Sequence, residues 1–282
     1  MKIKTLENTP IATIVAGFNL GFSDYHFDMT RTAAKEIELI KKDGKDLSLS
    51  PAAFDKGKII GFIHHGIDII DGIKTAWNGG TAVAPNYRGQ KITMQLYDFI
   101  LPKLKAAEVQ TTCLEVLKGN VPAIHVYKKI GFQITRTLDC YKSTKPIPLI
   151  EKQNLDIRIL QTIDWSLIRS FQDWRPTWQN NEEKIKRSGE ALQMMGLFFD
   201  NQLVGYCITD REKDSGLIYQ YGIAKAFRRR GFGKYFFAYL QKEKEGPLKL
   251  INIDHGDESS KSFLEALDFD CFIQQYQMEM AL

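Results

Sequence analysis

Long hydrophobic runs are missing from this chain of 282 residues. Nowhere do about 18 apolar residues follow one another, so the sequence offers no membrane-spanning helix and no membrane partner is expected. The opening Met1-Lys2-Ile3-Lys4-Thr5-Leu6 leads into a structured pattern, not into the apolar stretch of a signal peptide, which makes the cytoplasm the expected location. Cysteine is scarce: Cys113, Cys140, Cys207 and Cys271 show no Cys-x-x-Cys spacing. They read as buried thiols in a reducing compartment, not as a disulfide framework or a zinc site. His26, His64, His65, His125 and His255 also lack metal-ligand spacing, so no metal is expected. Neither sign of charge dominates, since 38 basic and 34 acidic side chains leave +4. That excess is too small to expect nucleic acid as the partner.

What is present is ordinary globular composition, 44% hydrophobic and 26% charged, which excludes a disordered or fibrous chain. The length suits two domains. Residues 1–143 carry 19 basic and 14 acidic side chains and residues 144–282 carry 19 and 20, so neither half is polybasic.

One order of elements is used twice. Phe54-Asp55-Lys56-Gly57-Lys58-Ile59-Ile60-Gly61-Phe62-Ile63 resembles Phe198-Phe199-Asp200-Asn201-Gln202-Leu203-Val204-Gly205-Tyr206-Cys207-Ile208, each a hairpin signal of two apolar runs about a polar turn. Val83-Ala84-Pro85-Asn86-Tyr87-Arg88 matches Ile223-Ala224-Lys225-Ala226-Phe227-Arg228 at an offset of 140, and Gly131-Phe132 finds Asp268-Phe269 at 137. Each half is expected to start with a short strand (2–6; 156–160) and helical segments (11–22 and 31–41; 165–174 and 182–194). The hairpin and a third strand (75–83; 217–223) follow. A turn rich in Arg and Gly then opens a helix (90–105; 230–242), ahead of a strand (112–117; 248–253), a short helix and a last strand. Helical spacing supports the long helices, through Ile92, Leu96, Phe99, Ile100 and Leu104 in one and Phe232, Phe236, Phe237 and Leu240 in the other. Pro102 is expected to kink the first of them. Pro146 and Pro148 mark 144–154 as a linker between domains at 1–143 and 155–282.

The chemistry is expected at the strand-to-helix turn. Arg228-Arg229-Arg230-Gly231-Phe232-Gly233 follows a strand and begins a helix, whose first turn carries unpaired N–H groups and partial positive charge. Glycines there let the backbone approach a pyrophosphate, and arginines supply charge-assisted bonds. The pattern is neither the six-residue Rossmann run nor a P-loop.

These residues resemble the GNAT N-acetyltransferase superfamily, whose acyl-CoA motif reads Gln/Arg-x-x-Gly-x-Gly/Ala: Arg228, Gly231 and Gly233 fill it. Val83-x-Pro85-x-x-Arg88-Gly89-Gln90-Lys91-Ile92-Thr93 is similar, with Lys91 and Thr93 where the family has glycine and glycine or alanine. The second family motif, Asn-x-x-Ala-x-x-x-Tyr-x-x-x-Gly-Phe, is filled by Asn120, Ala123, Tyr127, Gly131 and Phe132. Its counterpart, Asp257, Ser260, Leu264, Asp268 and Phe269, keeps only the phenylalanine. The resemblance implies an α+β (mixed α/β) fold in two tandem copies, each a twisted, mostly antiparallel sheet flanked by helices. In each, two strands splay apart to admit the pantetheine arm. Asn78-Gly79-Gly80 suits either a bulge in the first of these strands or a loose turn before a shorter one.

The activity implied is acetyl transfer from acetyl-CoA to a primary amine, by direct attack on the thioester, with no metal. Cofactor contacts are implied at Val83, Arg88, Gly89, Gln90, Lys91, Ile92, Thr93 and Asn120, and at Ile223, Arg228, Arg229, Arg230, Gly231, Phe232 and Gly233. A backbone N–H near Gly80–Val83 would polarise the carbonyl. Tyr127 matches the family tyrosine that protonates the departing thiolate, a phenol of pKa about 10 against a thiol of about 8.5. For a general base the candidates are Glu115, on a strand beside the cleft, and Asp24, His26, His64 or His65 at the acceptor end. Adjacent strand residues put His64 and His65 on opposite faces. Asp254, His255 and Asp257 either bind an amine or cap a helix, and Trp165, Trp174 and Trp178 with Arg175 form either core or a substrate wall.

The better acid and the better cradle lie in different copies; since backbone N–H groups do most of the phosphate binding and Lys91 adds a cation, the N-terminal copy is the expected catalyst. The C-terminal copy as catalyst, and a non-catalytic CoA-binding module, stand as alternatives. Arg228-Arg229-Arg230 as a nucleic-acid contact is a weaker one. The expected partners are acetyl-CoA and a small-molecule or peptide amine, with the chain a monomer or homodimer.

Overall fold

A computed structural model describes residues 1–25, 27–149 and 152–282. His26, among the candidate acceptor-end residues, lies outside the described residues. The chain forms two compact units, an N-terminal one of Met1–Thr135 with Tyr276–Leu282 and a C-terminal one of Arg136–Gln275.

In the N-terminal unit the order is β1 (Lys2–Thr5), α1 (Ile11–Gly21), α2 (Ala33–Asp43), β2 (Pro51–Asp55), β3 (Lys58–Ile70), β4 (Ile73–Val83), α3 (Ile92–Ala106), β5 (Thr111–Leu117) and α4 (Val121–Ile130). Strands β1 to β4 pair antiparallel in sequence order, and β5 joins β4 in parallel. Side chains of β3 divide between two cores, and a bulge at Ile60, where the pairing with β2 shifts, resets their alternation. Ile59 and Phe62 pack with Ile14 and Phe18 of α1, whereas Ile60 and Ile63 pack with Leu96, Ile100 and Leu104 of α3. The sheet is therefore clad by α1 on one face and by α3 and α4 on the other. Helix α3 runs through Pro102 to Ala106.

In the C-terminal unit β6 (Gln133–Ser143) contributes from Arg136 onward. Then come β7 (Leu155–Ile159), α5 (Trp165–Arg169), α6 (Glu182–Ser188), β8 (Leu192–Phe199), β9 (Gln202–Asp210), β10 (Leu217–Ile223), α7 (Phe232–Glu243), β11 (Lys249–Asp254), α8 (Glu258–Glu265) and β12 (Phe269–Ala281). The sheet repeats the plan: β7 to β10 are antiparallel neighbours, and β11 lies parallel to β10. Cys207 faces the α7 core, while its neighbours Tyr206 and Ile208 face the core of Ile168, Phe171 and Ile185.

Three sequence expectations change. Helix α6 stops at Ser188, where Gly189 turns the chain at φ 50°, so Leu192–Met194 are strand and not helix. The helix expected over 165–174 is a single five-residue turn. The division also differs from 1–143 and 155–282. Arg136–Ser143 pairs with β11 in the C-terminal unit, and Tyr276–Leu282 joins the N-terminal one, where Met278 is fully buried. Of the expected linker, Ile147 is buried in the C-terminal core and its N–H donates to Gln241 Oε1 at 2.6 Å. An isoleucine between two prolines is extended and apolar, and it finds cover on α7 instead of staying in water.

Candidate active site

The strand pair β4/β5 opens as the glycines suggest. Parallel pairing runs from Thr75↔Thr111 to Asn78↔Leu114 and stops, although both strands continue to Val83 and Leu117. At the same level the pairing of β3 with β4 shifts, His65 facing Asn78 and His64 facing Gly80, so Gly79 is the extra residue of a bulge. Asn78 holds the bulge in shape. Its Oδ1 accepts from Gly80 N at 2.9 Å, and its Nδ2 donates to Thr81 Oγ1 at 2.7 Å and Tyr97 Oη at 2.9 Å. The Gly80 N–H is thereby engaged, which leaves the residues beyond it as the source of a carbonyl-polarising donor.

The C-terminal unit opens at the equivalent place, as the resemblance implies, although no glycine pair marks it. Pairing of β10 with β11 ends at Ile218↔Leu250, and the β9–β10 register shifts between Ile218 and Gln220. Tyr219 is thus the extra residue, at an offset of 140 from Gly79. Bulge and splay survive in both units although only one carries the glycines.

Tyr127 stands at the first opening. Its ring packs edge-on against Tyr97, with centroids 6.3 Å apart, and lies 5.8 Å from Phe132. Burial raises its pKa, while hydrogen bonding from Thr81 and Asn78 pulls the other way. It is therefore a protonated phenol at neutral pH, set against the bulge. Glu115 follows Leu114, the last paired residue of β5. Leu114 and Val116 belong to the α3 core, so alternation turns the half-buried Glu115 to the opposite face. Asn120 starts α4, its Oδ1 accepting from Ala123 N at 3.2 Å.

The cradles share one backbone. In the first, Gly89 has φ 78° and Lys91 φ 59°; in the second, Arg229 has φ 63° and Gly231 φ 79°. Each turn needs two left-handed residues, and each copy supplies glycine at only one, a different one. Lys91 and Gly231 precede Ile92 and Phe232, the first residues of α3 and α7, and no side chain caps either helix. The first-turn N–H groups of both are left to meet an anion. Thr93 and Gly233 are equivalent; a Cβ on Gly233 would stand 2.9 Å from the Phe263 ring, which would have to shift to admit one.

The two motif arginines are both bonded within the protein. Arg88 donates to Val83 O and forms a two-pronged ion pair with Asp24 at 2.6 and 2.7 Å. Arg228 likewise donates to Ile223 O at 2.9 Å and Phe171 O at 2.8 Å, and pairs with Asp173 at 2.5 Å. They fasten the turn to the loop after the first helical segment, and Asp24 is thereby committed to Arg88. Charge at the second mouth comes from exposed Arg229, Arg230 and Lys234 and from a residue the sequence reading missed. Lys152 Nζ donates to Arg230 O at 2.8 Å and lies 3.2 Å from where a Gly231 Cβ would be. Only its position after two prolines and before a strand was visible in the sequence, which says nothing of where a linker folds back.

The histidines do not line an opening. His64, between Phe62 and Phe18, is completely buried, and burial with the nearby Lys45 and Arg31 charges drives its pKa well below 6.5. His65 faces Tyr97 on the other side of the sheet and bonds Leu49 O through Nδ1 at 3.0 Å. In the C-terminal unit Asp257 caps α8, accepting from Ser259 N and Ser260 N at 3.1 and 3.2 Å. Asp254 accepts from Gly256 N and Arg136, and His255 pairs with buried Asp139 at 2.8 Å. Trp165 and Trp178 are core, whereas Trp174 reaches a cavity of about 420 Å³ that runs from the second cradle along β10 to α8.

The sequence profile of the Acetyltransferase (GNAT) family matches residues 16–132. Residues 16–132 thus form a domain of the GNAT acetyltransferase family. The match runs from within α1 to the end of the Asn120–Phe132 motif and includes the opening just described. Across the whole length the fold is that of GNAT domains in tandem. The tandem GNAT protein from the clavulanic acid biosynthesis pathway superposes with a TM-score of 0.73 at 12% identity, covering 99% of this chain and 98% of that one. The GCN5-related N-acetyltransferase from Sphaerobacter thermophilus gives 0.71 at 14% identity, covering 99% and 95%. A GCN5-related glucosamine N-acetyltransferase region of a fungal multi-domain β-N-acetylglucosaminidase gives 0.73 at 17%, covering 99% of this chain and 38% of that one. Among curated protein sequences none matches the chain. Within the GNAT fold, no helix of the described residues is long and apolar enough to cross a membrane.

Proposed function

We propose that the chain transfers an acetyl group from acetyl-CoA to a primary amine, with the N-terminal unit doing the chemistry. The observation that carries this reading is the coincidence, within one opening, of the Gly79 bulge, the uncapped start of α3 and the protonated phenol of Tyr127. The phosphates would meet the N–H groups of Ile92 and Thr93, with Lys91 adding a cation, and the pantetheine arm would enter between β4 and β5 beyond Asn78. Fixing the thioester there supplies much of the rate through positioning. The amine attacks the carbonyl carbon, a β4 N–H beyond Gly80 stabilises the oxygen, and Tyr127 hands its proton to the leaving sulfur. Glu115, on the opposite face of β5, is the base that takes the proton shed by the amine. Arg88 acts through Asp24 by holding the turn.

The 420 Å³ cavity at the second cradle favours a second reading, in which the C-terminal unit also engages acyl-CoA. Initial rates of thiol release over a panel of primary amines test the main proposal. Direct attack in a ternary complex gives intersecting double-reciprocal lines and no release without amine. Parallel lines, the mark of an acetylated enzyme, would overturn it.

A further inference from the structure

We infer that the C-terminal unit has an acyl-transfer cleft of its own, in which Tyr221, on strand β10, replaces the missing helix tyrosine as proton donor to the thiolate. This rests on the second reading above, that the C-terminal cavity takes acyl-CoA. The helix position that holds Tyr127 in the first copy holds Leu264 here, and Leu264 is core. The strand position of Thr81 holds Tyr221, at the same offset of 140 that relates the bulges. Register confirms the equivalence: Thr81 lies opposite Ile63 and Tyr221 opposite Cys207, each two residues from a Gly61↔Val83 or Gly205↔Ile223 pair.

The two phenols bridge the same gap from opposite sides. Tyr127 reaches from α4 toward Thr81 on the strand, and Tyr221 reaches from the strand toward Ser260 on α8. Each packs edge-on against one position of the preceding long helix, Tyr127 on Tyr97 at 6.3 Å and Tyr221 on Phe237 at 5.1 Å. Tyr97 and Phe237 are again 140 apart. Tyr221 lines the cavity together with the cradle residues Gly231 and Gly233, and apart from its approach to Ser260 its buried hydroxyl makes no well-formed hydrogen bond among the described residues. A buried hydroxyl left unpaired is destabilising unless something in the functioning protein accepts its proton. A thioester sulfur between β10 and α8 would do so.

The step balances. The amine lone pair forms the C–N bond while the C–S bond breaks and leaves its electron pair on sulfur. The Tyr221 proton passes to that sulfur, giving free thiol, and the phenolate recovers a proton from the nitrogen through water.

Two measurements on the full chain separate this role from the reading beneath it. Calorimetry with CoA is expected to count two sites per chain, and one after Arg229→Glu with Arg230→Glu. An unchanged count would overturn the acyl-CoA reading of the cavity. Thiol release from acetyl-CoA with 2-aminoethanol and other simple amines is then compared in Tyr127→Phe and in Tyr127→Phe/Tyr221→Phe. The first is expected to keep a residual release of about a hundredth of the wild-type rate, carried by the C-terminal unit. The second is expected to lose at least tenfold at pH 7 with CoA binding within twofold, the deficit shrinking above about pH 8.5, where a thiolate leaves unprotonated. Equal rates, a deficit that ignores pH, or no release from Tyr127→Phe with two CoA bound would overturn the role of Tyr221 and leave the cleft standing.

Discussion

Side chains on one strand show how little residue type alone says about role. His64 and His65 are both candidate bases by type, yet each is sealed in a core, and their real consequence is for stability. Burial drives the His65 pKa down to about 4 from its ordinary 6.5. Below pH 6.5 the unfolded chain takes up a proton that the folded one refuses until about pH 4, so stability falls as pH falls through that window. Full loss amounts to about 3 kcal/mol at this site, with His64 adding in the same direction. Urea unfolding midpoints are expected to drop between pH 7 and 5, and less steeply in His65→Gln. Equal slopes would contradict the assignment. Near His64, buried Glu36 is bracketed by Arg31 at 2.5 Å and Lys45 at 3.2 Å. The sequence shows those charges scattered over fifteen residues, and only the fold makes them one cluster. Arg88 and Arg228 carry the same lesson. The motif marks them correctly as important, but only the placement of Asp24 and Asp173 reveals that they brace the turn.

At the scale of elements, the turns that open α3 and α7 each hold one non-glycine residue in the left-handed region, Lys91 in the first and Arg229 in the second. Lys91 sits at φ 59°, where a Cβ is disfavoured, whereas the equivalent Gly231 is at ease. Lys91→Gly is expected to raise the stability of the N-terminal unit by about 1 kcal/mol, read as a higher thermal midpoint. A fall would mean that the lysine side chain holds the turn together. The bulge in β4 was legible because Asn78-Gly79-Gly80 advertises an irregular backbone. The one at Tyr219 was not: Ile218-Tyr219-Gln220 reads as unbroken strand, and pairing with β9 and β11 imposes the irregularity.

For the whole molecule, the offset of 140 revealed two copies and their order of elements, but periodicity cannot tell which strand closes which unit. Tyr276–Leu282 belongs with the N-terminal unit, contributing fully buried Met278, and Leu282 N donates to Gln110 O at 2.9 Å. A chain cut at residue 143 therefore lacks part of its own core. Such a fragment is expected to be insoluble or to lack cooperative unfolding, and deletion of Tyr276–Leu282 is expected to lower stability by several kcal/mol, since burying one large apolar side chain contributes about 1.5–3 kcal/mol. A well-folded 1–143 fragment would contradict the division.

The central claim is that the N-terminal opening does chemistry through the phenol of Tyr127, and one measurement bears on it most directly. Amine-dependent thiol release is compared at saturating acetyl-CoA in the wild-type chain and in Tyr127→Phe, across pH 6 to about 9. The account expects a rate at neutral pH lower by about 10²-fold, with acetyl-CoA affinity little changed and the gap narrowing as pH rises past about 8.5. Wild-type turnover from Tyr127→Phe over the whole range would contradict it.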